Sequence, residues 1–146
     1  MPVTNIREGD NVIYKISGVF DAECAHRYLD LNALDYNTIG DALGAIIDFR
    51  DMTRLTISGL RVGQERLKGV TFDTPVAFVG SPDSIIVTFL RGIEALTSRG
   101  RRRFAFFDNP DEAARWIDSW FVTHHKDRAA LRGQITTNVE PRNLLP

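Results

Sequence analysis

Several polar residues that could do chemistry follow two apolar runs, Ala45–Phe49 and Pro75–Gly80, which are typical of buried strands. They are Arg50, Asp51, Thr53 and Arg54 after the first run, and Ser81 after the second. Parallel strands end at the same edge of a sheet, and α/β proteins usually bind their ligands at that edge. These residues therefore predict a polar rim that binds a partner or a small anion.

Helix capping is the alternative role for polar residues that precede predicted helices, because the first backbone N–H groups of a helix need acceptors. These residues are Asp21, Thr56, Ser81 and Asn109. Arg50, Asp51 and Arg54 are less easily explained as caps. We therefore expect the functional part of the rim mainly at these three residues.

No catalytic pattern accompanies the rim. The chain contains no Gly-x-Ser-x-Gly elbow, no phosphate-binding Gly-x-x-x-x-Gly-Lys-Ser/Thr loop and no Gly-x-Gly-x-x-Gly turn. Asp48 and Asp51 form the central acid pair, but no histidine can be placed beside them. The sequence therefore predicts a protein that is not an enzyme and has no catalytic residues.

The histidines and the single cysteine predict neither a metal site nor a cofactor. His124 and His125 are adjacent, so on a helix they point in directions about 100° apart and rarely share one ion. Cys24 has no helpful neighbour and is expected to be a small buried or half-buried residue. The basic run Arg99–Arg103 lacks interleaved aromatic residues, which favours a solvated loop over a nucleic-acid contact.

The elements that must position these residues alternate between strands and helices. The alternation of Val12, Tyr14 and Ile16 predicts a strand over 11–20, and Gly9-Asp10 predicts a turn that joins it to a strand over 3–8. Further strands are predicted over 45–49, 75–80 and 103–107, with a polar loop over 50–55. Helices are predicted over 21–35, 56–68, 81–100 and 109–121. This order predicts an α/β fold with a mostly parallel, mixed sheet of four or five strands and about four helices.

Length and composition agree with one such domain. The chain has 146 residues, of which 43% are hydrophobic and 25% charged, enough for one core. Its formal charge of −1 gives no general attraction to nucleic acid or to anionic membranes. No apolar run is long enough to span a membrane, and the N-terminus lacks a signal-peptide pattern. A cytoplasmic location is therefore expected.

The segment Asp48–Leu60 resembles the signature of STAS domains, the SpoIIAA-like or anti-sigma-factor-antagonist-like proteins of bacteria. Asp48-Phe49 matches the acid and the apolar residue that end a central strand in that family. Ser58-Gly59-Leu60 matches the residues that open the next helix. The resemblance covers about residues 11–121, including the order of strands and helices. It implies a SpoIIAA-like fold and a regulatory module that binds a protein partner without catalysis.

The motif departs from the family at the residues that switch binding. In the family, a kinase phosphorylates a serine of the motif, and the added charge changes partner binding. Thr56 takes the place of the family's acid and Ile57 that of the phosphorylated serine, so Ser58 alone remains of the hydroxyl pair. The resemblance therefore implies a module without the usual switch. A phosphate on Thr56 or Ser58 would still lie at a helix N-terminus, and both residues join the candidate binding residues.

The C-terminal part adds a prediction about assembly. We expect a single STAS-like domain over 1–121 and an extension over 122–146 that packs on the domain or on a partner subunit. Trp116, Trp120 and Phe121 form a stripe on the last predicted helix. Core packing is the default for such a stripe, but Trp120 and Phe121 lie toward its end. They are the candidate contact of a homodimer.

Three functions are open at this point. The first is the protein-binding STAS-like module. The second is a carrier or sensor of a small apolar ligand, because some SpoIIAA-like branches are similar to the lipid-binding SEC14 fold. The third is an enzyme that uses the acids Asp48 and Asp51 with Arg50 at the strand ends.

Overall fold

The computed structural model describes residues 2–67, 74–81 and 104–133. They form an α/β fold around a five-stranded mixed sheet whose strand order follows the chain. Strands β1 (Val3–Glu8) and β2 (Asn11–Phe20) are an antiparallel hairpin. Strands β3 (Gly44–Leu55), β4 (Val76–Val79) and β5 (Phe104–Phe107) continue the sheet in parallel.

Four helices are described. Helix α1 (Ala22–Ile39) begins at Asp21, whose side chain accepts a hydrogen bond from the Cys24 amide. It is followed by a short 3-10 turn (Gly40–Ala42) and, after β3, by α2 (Ile57–Leu67). Helix α3 (Pro110–Thr123) begins at Asn109, which accepts a hydrogen bond from the Glu112 amide. The short helix α4 (Arg128–Gly133) ends the described chain.

The sheet buries both of its faces. One face carries Tyr14, Ile47 and Phe78 and packs against α1 through Cys24 and Ile39. The other face carries Ile46, Ala77 and Val79, and α3 covers it with Ala113, Ile117, Trp120 and Phe121. Helix α2 packs beside α1, where the buried Arg66 donates to the Asp30 carboxylate at 2.9 Å and to the His26 carbonyl at 3.0 Å. These contacts hold α2 at a fixed place beside the sheet.

Helix α4 is attached to the edge of the sheet at which the parallel strands begin. Arg128 donates through Nε and Nη2 to the Ala42 carbonyl at 3.0 and 2.7 Å, and through Nη2 to Asn11 Oδ1 at 2.7 Å. Its guanidinium lies 4.4 Å from the centre of the Phe121 ring. Residues 128–133 therefore pack on the chain's own sheet edge. The division at residue 121 stays a prediction.

The predicted fold class is confirmed, including the N-terminal hairpin and the parallel strands. The prediction of a loop over 50–55 is wrong, because β3 continues to Leu55 by pairing with the end of β2. Helix α1 also extends to Ile39, beyond the expected end at Asp35. The helix predicted over 81–100 lies outside the described residues.

Candidate functional site

Four of the five predicted rim residues lie on a two-stranded extension of the sheet, whereas Ser81 follows β4. Within the described residues, β4 pairs with β3 over Ala45–Asp48, whereas β2 follows β3 to its end, with Phe20 opposite Leu55. We call residues 17–20 and 50–55 the β2–β3 extension. Its pairing shifts register twice, between Lys15 and Ser17 and between Gly18 and Val19. Such irregularities bend a strand and re-aim its side chains. Five side chains of the extension are exposed, namely Val19, Arg50, Asp51, Thr53 and Arg54.

Asp48 and Arg50 form a two-point ion pair at the base of the extension. Arg50 donates through Nε and Nη2 to the two carboxylate oxygens of Asp48, at 3.0 and 2.8 Å, and its backbone amide donates at 3.1 Å. Burial disfavours the charged form of Asp48, but the hydrogen bonds and the charge of Arg50 outweigh it and lower the pKa of Asp48. The Asp48 carboxylate is therefore ionised at neutral pH and paired with the Arg50 guanidinium.

The other exposed charges of the extension differ in their pairing. Lys15 Nζ lies 3.1 Å from Asp51 Oδ2, and both side chains are more than half exposed. A pair of this kind contributes about 0–1 kcal/mol to stability. Arg54 forms no ion pair with the described residues. Its charge is therefore available at the surface.

Thr56 connects the extension to α2. Its hydroxyl donates to the Phe20 carbonyl at 3.1 Å and accepts from the Gly59 amide at 3.0 Å. Its own amide also donates to the Phe20 carbonyl at 3.1 Å. Since the Thr56 proton is used in this way, the exposed Ser58 hydroxyl donates to Thr56 Oγ1 across 3.0 Å. Thr56 is thus a helix cap, while Ser58 is accessible from solvent.

Gly59 allows this close approach. A Cβ atom at this position would lie 2.4 Å from the Phe20 carbonyl oxygen and 3.1 Å from the Asp21 carbonyl carbon and oxygen. These are backbone atoms, so they cannot rotate away. The glycine of the Ser-Gly-Leu motif is therefore required for packing the first turn of α2 against the end of β2.

Ile57 is the residue that sequence reasoning missed. The comparison with the STAS motif shows only that Ile57 lacks the hydroxyl of the usual serine. In the structure its side chain is 72% exposed at the first position of α2. Val19, at the end of β2, is 42% exposed. An isoleucine between a capping threonine and a serine is the available signal, since helix starts at a surface are usually polar. We call Val19, Arg54, Ile57, Ser58 and Arg61 the α2 corner.

The remaining predicted residues lie elsewhere. Ser81 is exposed just after β4, and the helix that it was predicted to cap is outside the described residues. Trp120 and Phe121 are 6% and 2% exposed, so the chain's own core covers both side chains. The oligomer contact stays a prediction for these two residues, and their burial favours the core role. Cys24 is buried, as expected, and burial, with a smaller effect from Asp21, raises its pKa to about 11.

Metal and membrane features can be assessed over the same part of the chain. Residues 2–67, 74–81 and 104–133 contain no group of three or more potential ligands that could hold a metal ion. His26 Nδ1 lies 3.3 Å from Arg66 Nη1, and the His124 ring stacks on Trp120 at 4.1 Å. Among the helices described, none has the length and apolar character needed to cross a membrane.

Comparison with known proteins identifies the fold. No protein-family model matches the chain, and no curated protein matches it by sequence. An uncharacterised protein of the DUF3478 family with a SpoIIAA-like fold, from Shewanella loihica, superposes with a TM-score of 0.55 and 20% identity over 79% of this chain and 91% of that chain. An anti-sigma factor antagonist from Mycobacterium paratuberculosis superposes with a TM-score of 0.52 and 15% identity, over 80% and 92%. The fold of this chain is therefore SpoIIAA-like, as the sequence resemblance predicted.

Proposed function

We propose that this SpoIIAA-like domain is a non-catalytic regulatory module that binds a protein partner at the α2 corner. The observation that carries the proposal is the 72% exposure of Ile57 on a well-supported helix start. Single exposed apolar side chains are common at protein surfaces, but Ile57 lies in the segment that resembles the STAS signature, where the resemblance implies partner binding. The structural likeness to an anti-sigma factor antagonist supports the regulatory class.

The corner is built to be rigid. The Thr56 cap and the Gly59 contact attach the first turn of α2 to the end of β2. The buried Arg66 attaches the last turn of α2 to α1 through Asp30. A surface held at both ends of its helix loses little conformational freedom when a partner binds, which favours affinity.

The acids at the strand ends support binding better than catalysis. A general acid or base works best when its pKa lies near the working pH. Asp48 is engaged by Arg50 and has a lowered pKa. Asp51 is exposed and paired with Lys15. Asp48 therefore lacks the environment of a proton-transfer group at neutral pH.

Binding at the corner is proposed to be independent of the usual phosphorylation switch, because Ile57 has no hydroxyl. Ser58 is the accessible hydroxyl beside it, whereas the Thr56 hydroxyl is held by the cap. Intact-mass measurement of the protein purified from its source cells tests this part. An unmodified mass is expected, and a stoichiometric phosphate on Ser58 would contradict switch-independence while leaving partner binding intact.

Site-specific photo-crosslinking in the source cells tests the binding itself. A benzoylphenylalanine at the exposed Gln64, two turns after Ile57 on α2, is expected to give a discrete protein adduct. The same probe at Leu34, a 64% exposed residue on α1, is the matched control and is expected to give none. No adduct at Gln64, or the same adducts from both positions, would contradict the proposal. A turnover found in a hydrolase screen and abolished by Asp51→Ala would contradict the non-catalytic assignment.

A further inference from the structure

The charges around Ile57 define what kind of partner surface would fit the corner. Arg54 at the end of β3 and Arg61 on α2 are exposed, and neither forms an ion pair with the residues described for this chain. The neighbouring charges on the extension are already neutralised, since Arg50 pairs with Asp48 and Lys15 pairs with Asp51. The uncompensated side-chain charge on the extension and the first turns of α2 is therefore positive.

The helix start adds to this positive potential. The first backbone N–H groups of a helix carry partial positive charge, and Ile57 stands at the first position of α2. The nearby Asp21 already accepts a hydrogen bond from the first turn of α1. The exposed Glu65 lies one turn beyond Arg61, farther from Ile57. Ile57 thus lies between two exposed arginines along the chain, three residues after Arg54 and one helical turn before Arg61.

We infer that the partner of the α2 corner is an acidic polypeptide segment, in which a large apolar side chain or hollow receives Ile57 and carboxylates pair with Arg54 and Arg61. This inference rests on the proposed function and specifies the chemistry of the partner. The Ile57 contact supplies most of the affinity, because residues buried at the centre of an interface dominate its energetics. The arginines lie at the rim and chiefly set association rate and salt dependence.

An anionic membrane offers the same negative charge, but the geometry favours a polypeptide. Peripheral membrane helices insert a continuous apolar face with several large residues. After the first turn of α2, residues 61–65 are Arg-Val-Gly-Gln-Glu, which do not form a continuous apolar face. Among the α2 side chains that the structure describes, Ile57 is the one large apolar side chain that is strongly exposed. One isoleucine and two arginines match the size of a peptide contact.

Selection from a phage library of random twelve-residue peptides on the full chain tests the inference, with counter-selection on Ile57→Glu. The enriched peptides are expected to combine Asp or Glu with Leu, Ile, Phe or Trp. In fluorescence anisotropy, Ile57→Ala is expected to weaken their binding about tenfold or more. The double variant Arg54→Ala/Arg61→Ala is expected to weaken it several-fold and to flatten its salt dependence. Leu34→Ala is the control, because Leu34 on α1 is about as exposed as Ile57, and this variant is expected to bind the peptides like the wild type.

Several outcomes would overturn the inference. They are enrichment of basic peptides, failure to enrich any peptide that depends on Ile57, or unchanged affinity of Ile57→Ala. Co-sedimentation with phosphatidylserine vesicles that is lost in Ile57→Glu would assign the corner to membranes instead. Each changed side chain is exposed, so all variants are expected to fold like the wild type. Thermal unfolding of each variant checks this. If crosslinking at Gln64 yields a partner that Ile57→Ala still binds, this inference fails alone. If crosslinking yields no partner, the proposed function fails.

Discussion

Gly59 and Gly63 lie one turn apart in α2, and alanine substitutions at the two positions are expected to change stability in opposite directions. A Cβ atom at Gly63 would meet nothing within 4 Å, whereas at Gly59 it would lie 2.4 Å from the Phe20 carbonyl oxygen. Gly63→Ala is therefore expected to stabilise the protein by about 0.5–1 kcal/mol, the difference in helix propensity. The pair compares the same chemical change in the same helix.

At Gly59 the gain in helix propensity competes with a steric cost. The atoms that the new methyl group would meet belong to the backbone of Phe20 and Asp21, so the first turn of α2 must move. Overpacking of this kind costs about 1–3 kcal/mol. A 2.4 Å contact with a backbone atom places the cost in the upper part of this range, about 2–3 kcal/mol. Because the propensity gain offsets about 1 kcal/mol of it, Gly59→Ala is expected to destabilise the protein by about 1–2 kcal/mol.

Equilibrium urea unfolding of the full chain, followed by circular dichroism, measures both variants. Equal m-values would show that the unfolding transition is unchanged, so that midpoints can be compared directly. The packing argument would be refuted if Gly59→Ala were as stable as the wild type. It would also be refuted if Gly63→Ala were destabilised to the same degree, since that would point to a general intolerance of α2 to alanine.

Three further predictions follow from the described contacts. Arg128→Met is expected to cost about 2–4 kcal/mol in urea unfolding, because it leaves Asn11 Oδ1 and a buried carbonyl without their charged donor. Arg132→Ala, which breaks an exposed ion pair, should cost at most about 1 kcal/mol, and equal losses would refute the anchoring role of Arg128. Asp48 has a lowered pKa in the folded state, so its ionised form stabilises the fold above the ordinary value of 3.8, and this contribution is lost as the pH falls through the folded-state pKa. The wild type is therefore expected to be more stable than Asp48→Asn at pH 7, and this difference is expected to shrink below about pH 4. A difference in the free energy of unfolding that stays constant with pH would contradict this. Cys24, with its pKa raised to about 11, is expected to react with a disulfide reagent at pH 8 far more slowly in the folded protein than in urea, and equal rates would contradict its burial.

Local sequence patterns were sufficient where short-range contacts decide the structure. The alternation of Val12, Tyr14 and Ile16 predicted β2, and all three are buried. Asp21 and Asn109 were predicted as caps, and each accepts a hydrogen bond from an amide three residues later. Interactions over this distance are encoded in neighbouring residues, so one sequence was enough to find them.

The β2–β3 extension was missed because its cause is not local. Residues 50–55 are mostly polar and predicted a loop, but the end of β2 pairs with them and continues the strand. A strand formed by pairing with a partner more than thirty residues earlier in the chain has no short-range signature. The predicted backbone conformation of the polar rim residues was therefore wrong, and their role in binding stays a prediction.

The sequence by itself determined the fold class and the main helix caps, because apolar periodicity and capping act between near neighbours. The tertiary structure alone decided which apolar side chains are covered. Trp120 and Phe121 are buried because distant parts of the sheet lie beneath α3, and Ile57 is exposed because Gly59 holds the first turn of α2 against β2. Burial depends on contacts between remote segments, and these place Ile57 rather than Trp120 at the surface of the domain.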